Sequence, residues 1–499
     1  YEYKEIIEIV EKEFCLNEEL LNLGNMVSEK TLSTKMSAYQ AMFPKALKAR
    51  SENAVGIKTK AVVYVNPDIN VNEYIVNNSR NKKEVSLLTL IGKNEVDRST
   101  INSDSLRNLI KKGIVLVKNV EVKRMPSYIK EVENSVVLTP EQQKCYEEIK
   151  NSDNDKVLLY GVTGSGKTEI YIKLIKDALK EGKTALMLVP EISLTPQIVN
   201  RFLSIFKGDV AAFHSALSEG EKYDEYMKIY KGEVKIVVGT RSSIFVPIKN
   251  LGLIIIDEEH SDSYKQDSSP RYDAIDVANF RAKELGIPLV LASATPSLES
   301  KARTLKDVYH LVTINKRANN APLPKTYLID MKYEGGKFLS KELISKISDR
   351  LAKKEQVILL LNRRGFSTFV TCSNCGYTYK CPNCDITLTY HKTSNSLRCH
   401  YCSYNIKKDE MCPNCNEDAL NYLGLGTQKV EEELKTLFKE ANIIRMDQDT
   451  TSKKGSYQRI IDDFSAHKYD ILLGTQMISK GLDFSLVTLV GIINADTSL

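Results

Sequence analysis

The segment Gly161-Val162-Thr163-Gly164-Ser165-Gly166-Lys167-Thr168 has the residue types that hold a triphosphate. Glycines let successive backbone N–H groups turn toward one anion, Lys167 is long enough to reach β- and γ-phosphate oxygens, and the Thr168 hydroxyl is a Mg2+ ligand. An apolar run at 157–160 leads in and an amphipathic run at 168–179 leads out, so the loop joins a strand to a helix. ATP and Mg2+ are the expected ligands. Further along, Asp257-Glu258-Glu259-His260 follows the apolar run 253–256 directly. A carboxylate at the end of a parallel strand stands at the sheet edge where ligands bind. There Asp257 can hold Mg2+ through water and Glu258 can polarise the attacking water, with Lys167 completing the catalytic set. Alone, such a tetrad is a solvated turn; behind a P-loop it reads as the other half of a nucleotide hydrolase. Upstream, in Leu138-Thr139-Pro140-Glu141-Gln142, Gln142 is either an adenine contact or a helix cap.

The second constellation is made of cysteines. Eight of the ten fall in four Cys-x-x-Cys pairs: Cys372/Cys375, Cys381/Cys384, Cys399/Cys402 and Cys412/Cys415. Paired thiolates at this spacing read as metal ligands. Eight make two four-sulfur sites with no open position, so the role is structural and two Zn2+ are expected. Spacing alone allows sequential or nested pairing. An iron–sulfur cluster is the rival, and His391 and His400 are alternative ligands inside the module.

The elements that must carry these groups follow from hydropathy. Short, fully apolar runs (157–160, 185–189, 236–238, 253–256, 289–292) alternate with amphipathic stretches, the pattern of a parallel sheet covered on both faces. A second such series starts at 357–361, is interrupted by the cysteine block, and resumes at 471–473 and 489–493. The expected fold is α/β, with two parallel-sheet lobes at 131–318 and 319–499 and a zinc module at 368–420 inserted in the second. Residues 1–49 have helical spacing and read as the tail of an N-terminal domain. Residues 50–130 offer helices at 85–91 and 103–112 and short strands at 114–117 and 120–122. That is the order of a winged helix, or of a small α+β spacer.

Composition bounds the rest. The 499 residues exceed one compact core, and a net charge of +6 permits a nucleic-acid partner without arguing for one. No run approaches the roughly 18 apolar residues of a membrane span, and no signal pattern opens the chain, so a cytoplasmic protein is expected.

Asp257 to His260, Ser293-Ala294-Thr295-Pro296-Ser297 and Gly239-Thr240-Arg241-Ser242-Ser243 resemble motifs II, III and Ib of superfamily 2 helicases. Three further segments narrow the resemblance: Val189-Pro190-Glu191-Ile192-Ser193-Leu194-Thr195-Pro196-Gln197, Leu361-Asn362-Arg363-Arg364-Gly365-Phe366-Ser367, and Gly474-Thr475-Gln476-Met477-Ile478-Ser479-Lys480-Gly481. With the four cysteine pairs they are similar to the primosomal replication-restart helicase family, that of primosomal protein N′ (PriA). The resemblance implies RecA-like lobes, a winged-helix DNA-binding domain at 50–130, and a remnant of another DNA-binding domain at 1–49. It implies a nested zinc pairing: Cys372, Cys375, Cys412 and Cys415 on one ion, Cys381, Cys384, Cys399 and Cys402 on the other.

The loop after motif II, Ser263-Tyr264-Lys265-Gln266-Asp267-Ser268-Ser269-Pro270-Arg271-Tyr272-Asp273, resembles the family's aromatic-rich loop that couples DNA occupancy to hydrolysis. Tyr264 and Tyr272 are expected to stack on unpaired bases, and Lys265, Arg271 and the motif Ib Arg241 to meet phosphates. Ile275 replaces an expected basic residue. The implied activity is an ATP-dependent 3′–5′ DNA helicase that binds branched forks and single-stranded DNA. Its implied partners are primosome proteins, the loader of the replicative helicase and single-stranded-DNA-binding protein. A zinc scaffold using ATP as a switch, or an RNA translocase, are the rivals. The family's Gln- and Arg-rich motif VI and a C-terminal domain are expected beyond Leu499.

Overall fold

The computed structural model describes residues 16–47, 58–92, 94–101, 104–121, 137–190, 196–214, 217–318, 322, 324–331, 334, 338–361, 369–372, 374–391, 394–399, 402–423, 427–447, 450–451, 455–478, 484–493 and 495. It divides into two units, 1–320 and 321–499. Segments Glu191–Thr195, Asn362–Ser367 and Ser479–Gly481 of the motifs, with His400, lie outside the described residues.

The first unit opens with α1 (Glu18–Thr31) and α2 (Lys35–Met42), capped by the Asn17 and Thr34 side chains. Gly24 is required where they cross, since a Cβ there would stand 2.2 Å from the Tyr39 ring. The two helices are not a body of their own. Leu20, Leu23, Val27, Ala38 and Met42 enter the same core as Ile244, Phe245 and Val246 of the nucleotide-binding lobe. The tail expected at 1–49 is thus, in its described part, packed with its apolar faces covered by the lobe.

Next come β1 (Thr59–Val65), α3 (Val71–Asn77), α4 (Lys82–Ile91), β2 (Val96–Asp97), α5 (Asp104–Lys111) and β3 (Val115–Glu121). The sheet order is β2-β1-β3, all antiparallel. The two expected helices stand, but the two expected strands are one. Lys118 and Asn119, which lie between the two expected strands, both pair with β1, at Val62 and Ala61. Strand β1 and helix α3 were not anticipated.

The lobe itself runs α6 (Pro140–Lys150), β4 (Lys156–Gly161), α7 (Lys167–Lys180), β5 (Thr184–Leu188), α8 (Pro196–Phe206), β6 (Val210–Phe213), α9 (Glu219–Lys231), β7 (Ile236–Gly239), β8 (Leu251–Ile256), α10 (Ala274–Leu285), β9 (Leu289–Ser293), α11 (Leu298–Leu305) and β10 (His310–Ile314). Its seven strands pair in parallel in the order β10-β4-β9-β8-β5-β7-β6. Cores on both faces explain why the strands are apolar throughout.

The second unit contains α12 (Lys341–Ala352), β11 (Gln356–Leu361), β12 (Phe369–Cys372), β13 (Thr389–His391), β14 (Ser396–Arg398), β15 (Asn405–Lys407), β16 (Leu420–Leu423), α13 (Thr427–Leu437), β17 (Ile443–Met446), α14 (Ser456–Ser465), β18 (Ile471–Gly474) and β19 (Val487–Ile493). A parallel sheet β17-β18-β11-β19 is interrupted after β11 by the cysteine module, whose small antiparallel sheets are β12-β16 and β13-β14-β15. The module has its own core.

Candidate nucleotide and metal sites

Because β9 lies between β4 and β8, the loops after three neighbouring strands stand side by side: the P-loop, Ser293 to Ser297, and Asp257 to His260. The P-loop closes with Gly164 at φ 77° and Gly166 at φ 76°, backbone that favours glycine. Lys167 begins α7 and donates to the Gly161 carbonyl at 3.0 Å. The Ser165 hydroxyl is buried and has no hydrogen-bond partner, and a Cβ on Gly161 would stand 2.8 Å from it. An unsatisfied buried donor in a glycine cradle at a helix N-terminus fits a phosphate group.

Gln142 takes the capping role in this geometry. It is the third helical residue of a capping box with Thr139, its Oε1 accepting the Thr139 N–H at 2.8 Å. Its Nε2 donates to the Ser165 carbonyl at 2.8 Å, and the side chain is buried. The amide thus braces the cap and the back of the P-loop. The segment after β10 adds to that brace. The Ala318 N–H donates to the Gly164 carbonyl at 2.9 Å, and the Asn315 N–H to Glu141 Oε1 at 3.0 Å.

Asp257 Oδ1 accepts from the Tyr171 hydroxyl at 2.9 Å and from the Glu258 N–H at 3.0 Å. Burial, then the neighbouring Glu258 charge, pushes its carboxyl up to about 6, against the pull of Lys167. Glu258 sits at φ 47°, a left-handed conformation costing a residue with a Cβ roughly 1–2 kcal/mol. Two residues of the tetrad that sequence left without a role link motif II to motif III. Glu259 is buried and accepts from the Ser297 N–H (2.7 Å), the Ser297 hydroxyl (2.9 Å) and the Ser300 hydroxyl (2.9 Å). His260 Nδ1 lies 2.7 Å from the Ser293 hydroxyl and 3.5 Å from Glu258 Oε2.

The loop after motif II departs most from expectation. Tyr264 is fully buried and Tyr272 nearly so, at 0% and 4% exposure. The Tyr264 hydroxyl donates to the Asp257 carbonyl at 2.5 Å, and the Tyr272 ring packs edge-on against Phe245 at 5.0 Å. Neither ring presents a face to a base, which corrects the stacking expectation: both are core residues that hold the loop. Arg241 donates to the carbonyls of Ser263 and Lys265 and lies over the Tyr272 ring, 6.0 Å from its centroid. Lys265 and Arg271 are exposed.

In the cysteine module the sulfurs of Cys372, Cys375, Cys412 and Cys415 lie within 4.8 Å of one another, as do those of Cys381, Cys384, Cys399 and Cys402. Separations of 3.5 Å (Cys372–Cys415), 3.6 Å (Cys375–Cys412) and 3.4 Å (Cys381–Cys402) approach the roughly 3.8 Å edge of a tetrahedron with Zn–S bonds of about 2.3 Å. All four pairs share one turn. The N–H of the residue after the second cysteine donates to the carbonyl of the first: Gly376 to Cys372, Asp385 to Cys381, Ser403 to Cys399 and Asn416 to Cys412. That residue has φ between 52° and 72° each time, which explains Gly, Asp, Ser and Asn there. The crowded thiols perturb one another. The Asn414 side chain draws Cys375 down to about 6, and the Tyr404 amide draws Cys402 to about 6, while Cys402 pushes Cys384 up to about 12.

A parallel-sheet lobe with a phosphate loop, two linked motifs at its edge and a second lobe interrupted by two four-cysteine clusters define a zinc-binding helicase motor. Family models agree: DEAD/DEAH box helicase over residues 139–304, the PriA DNA helicase Cys-rich region over 381–407, and helicase conserved C-terminal domain over 416–499. Replication restart protein PriA of Bacillus subtilis is 42% identical over 99% of this chain and 71% of its own length. The chain belongs to the replication restart protein PriA family. The proteins of that name from Synechocystis and Chlamydia pneumoniae are 43% and 45% identical, covering 80% and 72% of this chain. The chain spans 50% of each. Among solved structures, RecG bound to a three-way DNA junction has 20% identity and a TM-score of 0.41, covering 71% of this chain and 38% of its own. The DEAD-box helicase Mss116 bound to single-stranded RNA has 15% identity and a TM-score of 0.47, covering 72% and 64%. Among the described residues no helix is long and apolar enough to cross a membrane.

Proposed function

We propose that this chain is the motor of an ATP-dependent 3′–5′ DNA helicase that engages branched replication forks and starts primosome assembly. The observation that carries the reading is the sheet edge on which the P-loop, Asp257-Glu258 and motif III stand on adjacent strands, tied by Glu259 and His260. Gly161 to Lys167 hold the triphosphate, and Thr168 and Asp257 hold Mg2+. Bound Mg2+ would offset charge on the phosphate oxygens. Lys167 leaves the Gly161 carbonyl for the β/γ oxygens, and Glu258 orients the attacking water and takes its proton. Arg241, Lys265 and Arg271 meet DNA phosphates. The zinc module assists strand separation and docking of primosome proteins, the helicase loader and single-stranded-DNA-binding protein.

The test is ATP hydrolysis and unwinding with forked DNA and the matching RNA side by side, for the parent and for Lys167→Ala and Glu258→Gln. Stimulation by DNA alone, lost in both variants, supports the reading. Equal stimulation by RNA refutes the substrate. Fork binding with no hydrolysis in the full-length protein refutes the motor.

A further inference from the structure

Arg281 has no exposed surface, although Arg-Ala-Lys-Glu in α10 reads as an ordinary helix exterior. A buried guanidinium is costly unless its donors are met, and here three are. Nε donates to Glu19 Oε1 of α1 at 2.6 Å, Nη1 to the Ile244 carbonyl at 2.7 Å and Nη2 to the Val246 carbonyl at 3.1 Å. The two carbonyls belong to the 3-10 turn Arg241–Phe245 and the residue that ends it. Arg241, its first residue, then reaches the carbonyls of Ser263 and Lys265. The buried residues of α1 already meet this lobe through apolar contacts, and Lys30 pairs with Asp276 of α10 at 2.8 Å. What the guanidinium adds is a pair of directed hydrogen bonds that fix the backbone of the turn.

We infer that Arg281, with Glu19 as its counter-charge, is a positioning residue for single-stranded DNA. Through it the N-terminal helix α1 sets where the turn bearing Arg241 stands. The inference rests on the reading of Arg241 as a phosphate contact. A crevice of about 260 Å³ lies between the segment after α2 and the turn, with Phe43 and Lys45 on one side and Arg241, Ser242 and Gln266 on the other. Its width depends on how α2 and the turn are held relative to one another.

The experiment measures anisotropy of a labelled oligothymidylate against salt for the parent, Arg241→Ala, Arg281→Lys, Glu19→Gln and the double variant R241A/R281K. Each phosphate contact on a single strand contributes about 0.7 to the slope of log affinity against log salt. R241A, R281K and E19Q should each lose about 0.7 of slope and bind roughly three- to tenfold more weakly. R281K should add little to R241A, because the two act through one contact. Binding of a fluorescent ADP should stay at the parent level in all of them. A merely structural role would lower ADP binding and melting temperature together and leave the salt slope intact. Slope lost in R241A but kept in R281K and E19Q overturns the positioning inference and leaves the DNA contact standing. An unchanged slope in R241A brings down the contact itself. If R281K does not fold, E19Q, which keeps an acceptor but removes the charge, decides alone.

Discussion

Replacing Tyr264 separates two accounts of the loop after motif II. The ring is fully buried, its hydroxyl donates to the Asp257 carbonyl, and it belongs to the core that also holds Tyr272, Ile254 and Ile256. Removing a buried aromatic ring costs about 3–5 kcal/mol, whereas removing one hydrogen bond costs about 0.5–1.5 kcal/mol. At about 2–4 °C per kcal/mol for a lobe of this size, Tyr264→Ala should lower its melting transition by roughly 6–20 °C and Tyr264→Phe by roughly 1–6 °C. Tyr264→Phe should bind single-stranded DNA as the parent does, since no face of the ring is exposed. Its hydrolysis should fall all the same, because the lost donor anchors the end of the strand that carries Asp257. Differential scanning calorimetry with oligonucleotide anisotropy reads both quantities. A melting transition unmoved in Tyr264→Ala, with DNA binding lost at about 1–3 kcal/mol, would place the ring at the surface as a stacking platform and refute the argument.

The zinc pairing has a direct test. Cys372→Ser with Cys412→Ser should leave about one zinc per chain by elemental analysis, where the intact protein carries about two, because both sulfurs lie in one cluster. Loss of both ions would mean sequential pairing. Gln142→Ala should weaken ATP, GTP and pyrophosphate alike by roughly tenfold, the cost of one or two lost hydrogen bonds behind the P-loop. A loss confined to ATP would restore the adenine contact. Gly166→Ala should abolish nucleotide binding, because the new Cβ would stand 2.3 Å from Gln142 Nε2 on backbone at φ 76°. Parent-level affinity in an equilibrium titration would show that the brace gives way.

The local signals of this chain were complete in themselves. A P-loop needs its glycines and lysine in fixed order, a buried parallel strand must be apolar on both faces, and a zinc turn needs cysteines two residues apart. Each motif could therefore be read where it stands, along with the two-lobe plan and the interruption of the second lobe. Sequence also held a signal that passed unused: Gly, Asp, Ser and Asn follow the four cysteine pairs because the turn there is left-handed. Burial was what only the tertiary structure decided. Tyr264 and Tyr272 occur in a polar loop, and nothing local says that the loop folds both rings inward. Gln142 has the same side chain whether it meets a base or braces Ser165. Arg281 reads as a surface residue until Glu19, 262 positions away, and two carbonyls of a distant turn close around it. Such roles depend on which segments meet, and a charge or a ring acquires them only once water has been removed from around it.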